Sequence, residues 1–238
     1  MTTIPEKYKL LSGSTLKIIA VISMLIDHAA LVLLYWGILY PNQPIVQGTR
    51  IYTIYLIYNI MRKIGRIAFP IFCFLLIEGF IHTSSRKKYA LRLFLFALIS
   101  EIPYDLACSD QIWNPDSCNI FVTLLLGFLT IWLMSQFQNK YYLQLPIAVL
   151  GCLIAYFINC DYDYKGLILI ILLYFFRYDR IMQAFSGSIS LLWEWPAVFA
   201  FIPICMYNEK RGRNIKYFFY VFYPAHLLLL YLLAQILF

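Results

Sequence analysis

Long, uninterrupted apolar runs separated by short polar gaps dominate this chain, and they leave few folds open to it. A helix needs ~20 apolar residues to cross a ~30 Å hydrocarbon core. Runs of that order recur at roughly 15–40, 64–82, 89–107, 119–137, 142–159, 164–177, 189–206 and 215–238. They are continuous where an outer-membrane barrel would alternate, so the expected fold is all-α, a polytopic transmembrane helical bundle of about eight hydrophobic segments. Charged residues make up 13% of the 238, too few to cover a soluble globule. The chain 1–238 therefore reads as a single integral membrane domain. Ser12-Gly13-Ser14 reads as a helix N-cap, and Asp27-His28 in the middle of the first run argues against a cleaved signal peptide. The Tyr-rich stretch 51–61, IYTIYLIYNIM, reads as an interfacial or partly inserted piece leading into the second segment.

The net charge of +7 would raise the question of nucleic acid in a soluble protein. Here the basic residues sit in the gaps between runs, where the positive-inside bias and anionic headgroups account for them, so no nucleic-acid partner is expected. With a cytoplasmic N-terminus and eight crossings, the basic residues of the two sides nearly balance. Making the sixth segment re-entrant moves Lys210, Arg211, Arg213 and Lys216 inside and tilts the balance clearly. That segment has a clean core of only Leu167 to Phe176, yet Tyr164, Arg177 and Tyr178 can snorkel and a thinned bilayer costs little. The reading adopted is eight crossings, with Lys210 to Lys216 outside. Cys108 and Cys118 bracket an acidic loop on the outside, where a disulfide and two free thiols are both open.

An ionisable side chain at bilayer depth costs several kcal/mol, so each must be paired, solvated or used. Asp27 and His28 are the strongest instance. Asp27 shares a helical face with Ala20, Ser23 and Ala30, a small-residue face that lets another helix approach closely. His28 shares a stripe with Met24, Val21 and Lys17. A neutral imidazole can take a proton from an attacking amine or accept an acyl group, and a carboxylate can hold its tautomer. Adjacent helical residues point about 100° apart, so Asp27 can instead pair with an Arg on another helix.

In the second segment Arg66 lies deeper than Arg62 and Lys63, and a buried guanidinium wants a carboxylate such as Asp27, Glu101 or Asp105. Pro70 kinks this helix, and Glu78 and His82 stand one turn apart, either an acid–base pair or an interfacial pair. Glu101 and Asp105 share a face of the third segment, and His226 is the ionisable group of the last. No Cys/His zinc spacing, P-loop or Gly-rich dinucleotide turn is present, and no metal is expected. A transporter using the buried charges as a relay, and a membrane scaffold in a conjugation or secretion complex, remain open on these residues.

The runs STLKIIAVISMLIDHAALVLL, IGRIAFPIFCFLLIEGFIHTSSRKKYALRLFLFALISEIPYDL, NIFVTLLLGFLTIWLM and KYFFYVFYPAHLLLLYLL strongly resemble the TraX family. The resemblance implies a multi-pass protein of the bacterial cytoplasmic (inner) membrane that acetylates the N-terminal amine of conjugative pilin. It is also distantly similar to membrane acyltransferases such as heparan-α-glucosaminide N-acetyltransferase, in which the His of the first segment handles the acyl group. By that comparison His28, beside Asp27, is the expected acyl-handling residue, acetyl-CoA the co-substrate and an exported amine the acceptor. His28, Asp27 and Glu101 are then the catalytic candidates. Lys17, Arg66, Arg86, Lys87 and Lys88 are the candidates for meeting acetyl-CoA, and Glu78, Asp105 and His226 those for binding the acceptor.

Overall fold

A computed structural model of the protein describes residues 4–213 and 216–238, and the described residues are helical throughout, joined by short loops. The order is α1 (Gly13–Ala29), α2 (Arg50–Gly65), α3 (Ala68–His82), α4 (Arg86–Ser109), α5 (Ile120–Gln136), α6 (Tyr141–Phe157), α7 (Asp163–Phe175), α8 (Arg180–Ser190), α9 (Phe201–Cys205) and α10 (Lys216–Leu237). A π-helical run, Ala30–Leu39, continues α1, and a distorted 3-10 run, Leu192–Ala200, links α8 to α9. Among the described residues, three stretches are long and apolar enough to cross a bilayer: Gly13–Leu39, Arg50–His82 and Tyr217–Leu237. Shorter apolar helices cover Ile120–Ser135, Tyr141–Phe157 and Leu192–Cys205.

Side-chain oxygens start several of these helices where the sequence offers them. Ser12, Thr49, Ser85, Asn119 and Asp179 each accept a backbone N–H of the first turn. The stretch 51–61 leads into the second segment, as its place in the sequence suggests. It forms most of α2, which packs along α1 and its π-helical extension and runs into α3 with a break only at Arg66 and Ile67. The break lies four residues before Pro70, which has no N–H for the Arg66 carbonyl and whose ring would clash with it. Ser23 on α1 donates to the carbonyls of Ile64 and Gly65 at 2.6 and 3.2 Å and so satisfies the end of α2. The small-residue face of α1 is buried here, with Ala20, Ser23, Asp27 and Ala30 all inside. At Gly65 a β-carbon would collide with the Asp27 side chain, so only glycine permits this approach. Helix α3 is the centre of the bundle, with Ile71, Phe74 and Ile77 fully buried against α1, α5, α7 and the α8–α9 region.

The bundle has two ends. At the near end the chain before α1 joins the loop after α9: Leu11 N–H donates to the Met206 carbonyl at 2.9 Å and Gly13 N–H to the Lys210 carbonyl at 2.8 Å. At the far end Trp36 donates to the Cys108 carbonyl at 3.2 Å. The segment expected at 189–206 does not run from one end to the other. Helix α8 starts with the Arg180 guanidinium 5.6 Å from the centre of the Tyr207 ring, so Arg180–Tyr207 enters and leaves the bundle at the near end. Its innermost part, Glu194, meets Arg66 at the break. The element that turns back is thus the seventh apolar run, and residues 210–213 lie beside the N-terminal segment. Two Pro and a non-helical Glu194 lie in this run.

Single cysteines at Asn208 and at Tyr8 in a cysteine-free background are expected to react with a membrane-impermeant maleimide from the same side of the bilayer. Labelling of the two from opposite sides would overturn the hairpin.

Candidate active site

Helices α1 and α10 bring together two histidines 198 positions apart. His28 Nδ1 and His226 Nε2 are 2.7 Å apart, with the rings stacked at 5.0 Å. His226 Nδ1 lies 2.8 Å from the Phe222 carbonyl one turn back on the same helix. A carbonyl only accepts, so His226 carries its proton on Nδ1, and the Nε2 of the neutral ring is an acceptor. His28 Nδ1 is then the donor to His226, which leaves His28 Nε2 as a bare lone pair. Phe222 stacks on His226 at 4.7 Å and Tyr223 packs edge-on to His28 at 6.0 Å, so both rings are held in place. A neutral imidazole with one nitrogen fixed and the other bare can act as base or nucleophile.

Asp27 does not orient this histidine. It accepts from Arg62 at 2.6 Å, as the 100° offset along a helix allows, and its other oxygen is buried without a partner. Arg66 pairs with neither α1 nor α4. Its carboxylate is Glu194, at 3.0 Å from the α8–α9 hairpin, and it also interacts with Tyr162. Glu194 escaped the sequence reading because it stands in a Trp-rich run with nothing to link it to residue 66. Asp161, in the turn between α6 and α7, joins the same group, interacting electrostatically with Arg66, Asp27, Arg62 and Glu194. Its neighbour Tyr162 stacks on Phe69 at 3.7 Å, which fixes the turn against the start of α3. Two arginines face three carboxylates here, and among the described residues Asp161 forms no ion pair within 4 Å. The signal that could have found it was a carboxylate inside a short gap between two apolar runs.

The other carboxylates are committed to structure. Glu101 accepts from the backbone and side-chain N–H groups of Asn119, and Asp105 is fully buried and accepts from Asn114 N–H at 3.0 Å. Both tie the loop after α4 to that helix, each through one oxygen, and the other oxygen of Asp105 is buried without a partner. Cys108 and Cys118 are separate free thiols.

A cavity of about 570 Å³ runs inward from the near end. Thr83, Ser84, Glu209 and Arg211 frame its outer part, and Met24, Ile120 and Tyr223 line its inner part. The Tyr223 that lines it is the one packed edge-on to His28, while neither His28 nor His226 lines the cavity itself. Lys17 lines it, with its ammonium 5.4 Å from the Phe219 ring centre. The rest of the expected basic rim is elsewhere. Lys87 and Lys88 are exposed outside the cavity, Arg86 donates to Ser135 at 3.0 Å and lies over Phe80, and Arg66 belongs to the cluster beyond the histidines. Arg92 and Arg211 line the cavity instead, and neither was singled out from the sequence. Glu78 and His82 line it as well. Glu78 is held by Arg180 at 3.4 Å and His82 at 3.7 Å, which makes the interfacial reading of this pair the better one. Among the described residues no group of three or more His, Cys, Asp or Glu side chains is placed to hold a metal ion.

Taken together, the apolar helices, the near-end cavity and the paired histidines packed against Tyr223 define a helical membrane-type protein with a polar centre built from distant segments. The chain belongs to the TraX family, whose model, described as TraX protein, matches residues 12–234. It is similar to the probable fimbrial assembly protein FimC, serogroup H1, of Dichelobacter nodosus, at 27% identity over 92% of this chain and 94% of the relative. No solved structure matches the chain.

The Arg66–Glu194 pair is partly open, so its loss is expected to fall between the values for surface and buried pairs, about 1–3 kcal/mol. Arg66→Met should lower stability in detergent by that amount, and adding Glu194→Gln should recover part of it, whereas adding Asp27→Asn should not. Additive losses for Arg66→Met and Glu194→Gln would sink the pairing.

Proposed function

We propose that this protein is an integral membrane N-acetyltransferase that takes acetyl from acetyl-CoA at the near, cytoplasmic end and passes it to an amine arriving from the far side. The observation that carries the reading is the bare Nε2 of a His28 whose ring packs against Tyr223, a residue that lines the near-end cavity. Acetyl-CoA enters through that cavity with its thioester towards Tyr223. The acceptor ammonium first gives up one proton to water on the far side; the neutral nitrogen then attacks the thioester carbonyl, a C–N bond forms and the C–S bond breaks. His28 Nε2 takes the proton from the nitrogen and returns it to the departing thiolate. His226 is a positioning residue: it accepts from His28 Nδ1 and keeps that nitrogen protonated, so that Nε2 stays available.

On the far side Asp161 takes the place that Glu101 and Asp105 were expected to fill. Each of the two arginines is matched by its own carboxylate, and the remaining negative charge suits an acceptor that arrives as an ammonium ion. The resemblance to FimC, named for fimbrial assembly, supports the N-terminal amine of a pilin-type subunit as that acceptor. In the bilayer, α1, α2–α3, α4, α5, α6, α7 and α10 are the crossings and α8–α9 is re-entrant, so that Arg177, Arg180, Lys210, Arg211 and Arg213 all lie inside, as the positive-inside bias favours. The membrane is the cytoplasmic membrane of a bacterium.

Purified protein should bind acetyl-CoA and hydrolyse it slowly, and His28→Ala should abolish turnover while stability stays near wild type. His226→Ala should lower kcat with little change in the KM for acetyl-CoA. The absence of thioester binding at millimolar ligand in detergent and in nanodiscs would sink the enzyme reading and favour a relay of protons through the same histidines.

A separate expectation concerns the acceptor. Asp161→Asn should raise the KM for an amine acceptor by about tenfold, the loss expected for one charge-assisted contact, with acetyl-CoA hydrolysis unchanged. An unchanged acceptor KM would remove Asp161 from the site.

A further inference from the structure

The near-end cavity has an uneven charge balance among its lining residues. Its two carboxylates are already engaged, Glu78 by Arg180 and His82 and Glu209 by Lys9 at 3.5 Å. Arg92, on the first third of α4, differs: among the described residues no carboxylate lies within ion-pair distance of it, and its Nε is buried without a hydrogen-bond partner. Two tyrosines hold the guanidinium rather than an anion. It lies 5.3 Å from the centre of the Tyr89 ring, one turn nearer the start of α4, and interacts with the Tyr220 hydroxyl of α10. An arginine cannot shed its proton in such a place, and a charge kept within an apolar bundle wants an anion of matching shape. The planar fork fits phosphate oxygens, and the tyrosines fix it without neutralising it.

Position agrees with chemistry. Tyr220 precedes His226 by six residues, about 9 Å along α10, and the Arg92 side chain leans further towards the near end, over Tyr89. An anion held by Arg92 therefore sits about 9 Å or more below the histidine pair along α10, inside the same cavity.

We propose that Arg92 is the phosphate anchor of the near-end cavity: it binds a phosphate-bearing ligand through its guanidinium and so directs the remainder of that ligand towards Tyr223 and His28. This rests on the acetyl-transfer reading for the identity of the ligand, whose phosphates would then be those of CoA. The phosphate of an anionic lipid headgroup offers the same chemistry, and the test separates the two.

Calorimetry on the full-length protein in a non-ionic, phosphate-free detergent compares CoA with pantetheine, which lacks the phosphates. Arg92→Gln is expected to weaken CoA binding by about tenfold or more, the value of a hydrogen bond to a charged group, and to leave pantetheine binding unchanged. Lys140→Gln, an exposed change at the same end, should alter neither. If Arg92→Gln binds CoA as wild type does, the anchor is overturned and acetyl transfer stands. If wild type binds no CoA, the acetyl-transfer reading falls and the anchor is judged by native mass spectrometry after purification with phosphatidylglycerol. Lipid retained by wild type and lost from Arg92→Gln supports the site with a headgroup as its occupant, and equal retention overturns it. Should Arg92→Gln fail to fold, Arg92→Lys carries the same comparison, because it keeps the charge and loses the fork.

Discussion

A charge carried to bilayer depth without a partner costs several kcal/mol, and the far half of this bundle is organised around avoiding that cost at two arginines. Arg62 reaches Asp27 and ties α2 to α1, while Arg66 reaches Glu194 and ties the α2–α3 break to the innermost part of the α8–α9 hairpin. The second pair gives the hairpin a reason to penetrate as far as it does. Without Glu194, Arg66 would lose the one carboxylate within ion-pair distance of it among the described residues. The break that presents Arg66 has its own cause in Pro70, and Ser23 and Gly65 make room for it on α1. One proline, one glycine and one serine thus set the place where the charged cluster meets the histidine pair.

The histidines solve the same problem differently. Two neutral imidazoles linked to each other and to the Phe222 carbonyl carry no net charge, so they can stand at depth with hydrogen bonds alone. Their order is imposed by a backbone carbonyl, which accepts and cannot donate. A carboxylate in that position could take up a proton itself, and Asp27 is kept away from it by its bond to Arg62. The arrangement therefore keeps His28 neutral in the resting protein and keeps its bare nitrogen on one side of the ring.

Much of this was legible in the amino-acid sequence and some could not be. Continuous apolar runs located α1, α4, α5, α6, α7 and α10 to within a few residues, because a long apolar helix has no competing structure in a bilayer. The caps at Ser12 and Asn119 mark two of their starts. His28 and His226 were both visible as rare ionisable groups, but their contact depends on how α1 and α10 lie across one another. The partner of Arg66 was misjudged for the same reason: depth along separate helices narrows the choice of carboxylate, and only packing selects Glu194. Lys87 and Lys88 misled by number, since a basic turn at a helix start faces water and headgroups, while the single Arg92 one turn further in faces the cavity. Pro196, Pro203 and Glu194 are the local marks that 189–206 turns back, but a hairpin and a crossing contain the same apolar residues and both tolerate proline.

Tyr223 joins these observations. It is buried, it lines the inner end of the near-end cavity and it packs against His28, so it stands between that cavity and the charged cluster beyond. A transferase with substrates arriving from opposite sides has to bring two reacting atoms together without opening a continuous water path, since such a path would conduct protons past the histidines. In the proposed transfer a slender thioester arm meets that requirement better than a bulky donor, because it would fill the narrow inner part of the cavity while its charged portion stayed behind near Arg92. The ring of Tyr223 then need move only far enough to admit the acyl end, and the arm itself excludes the water that would follow.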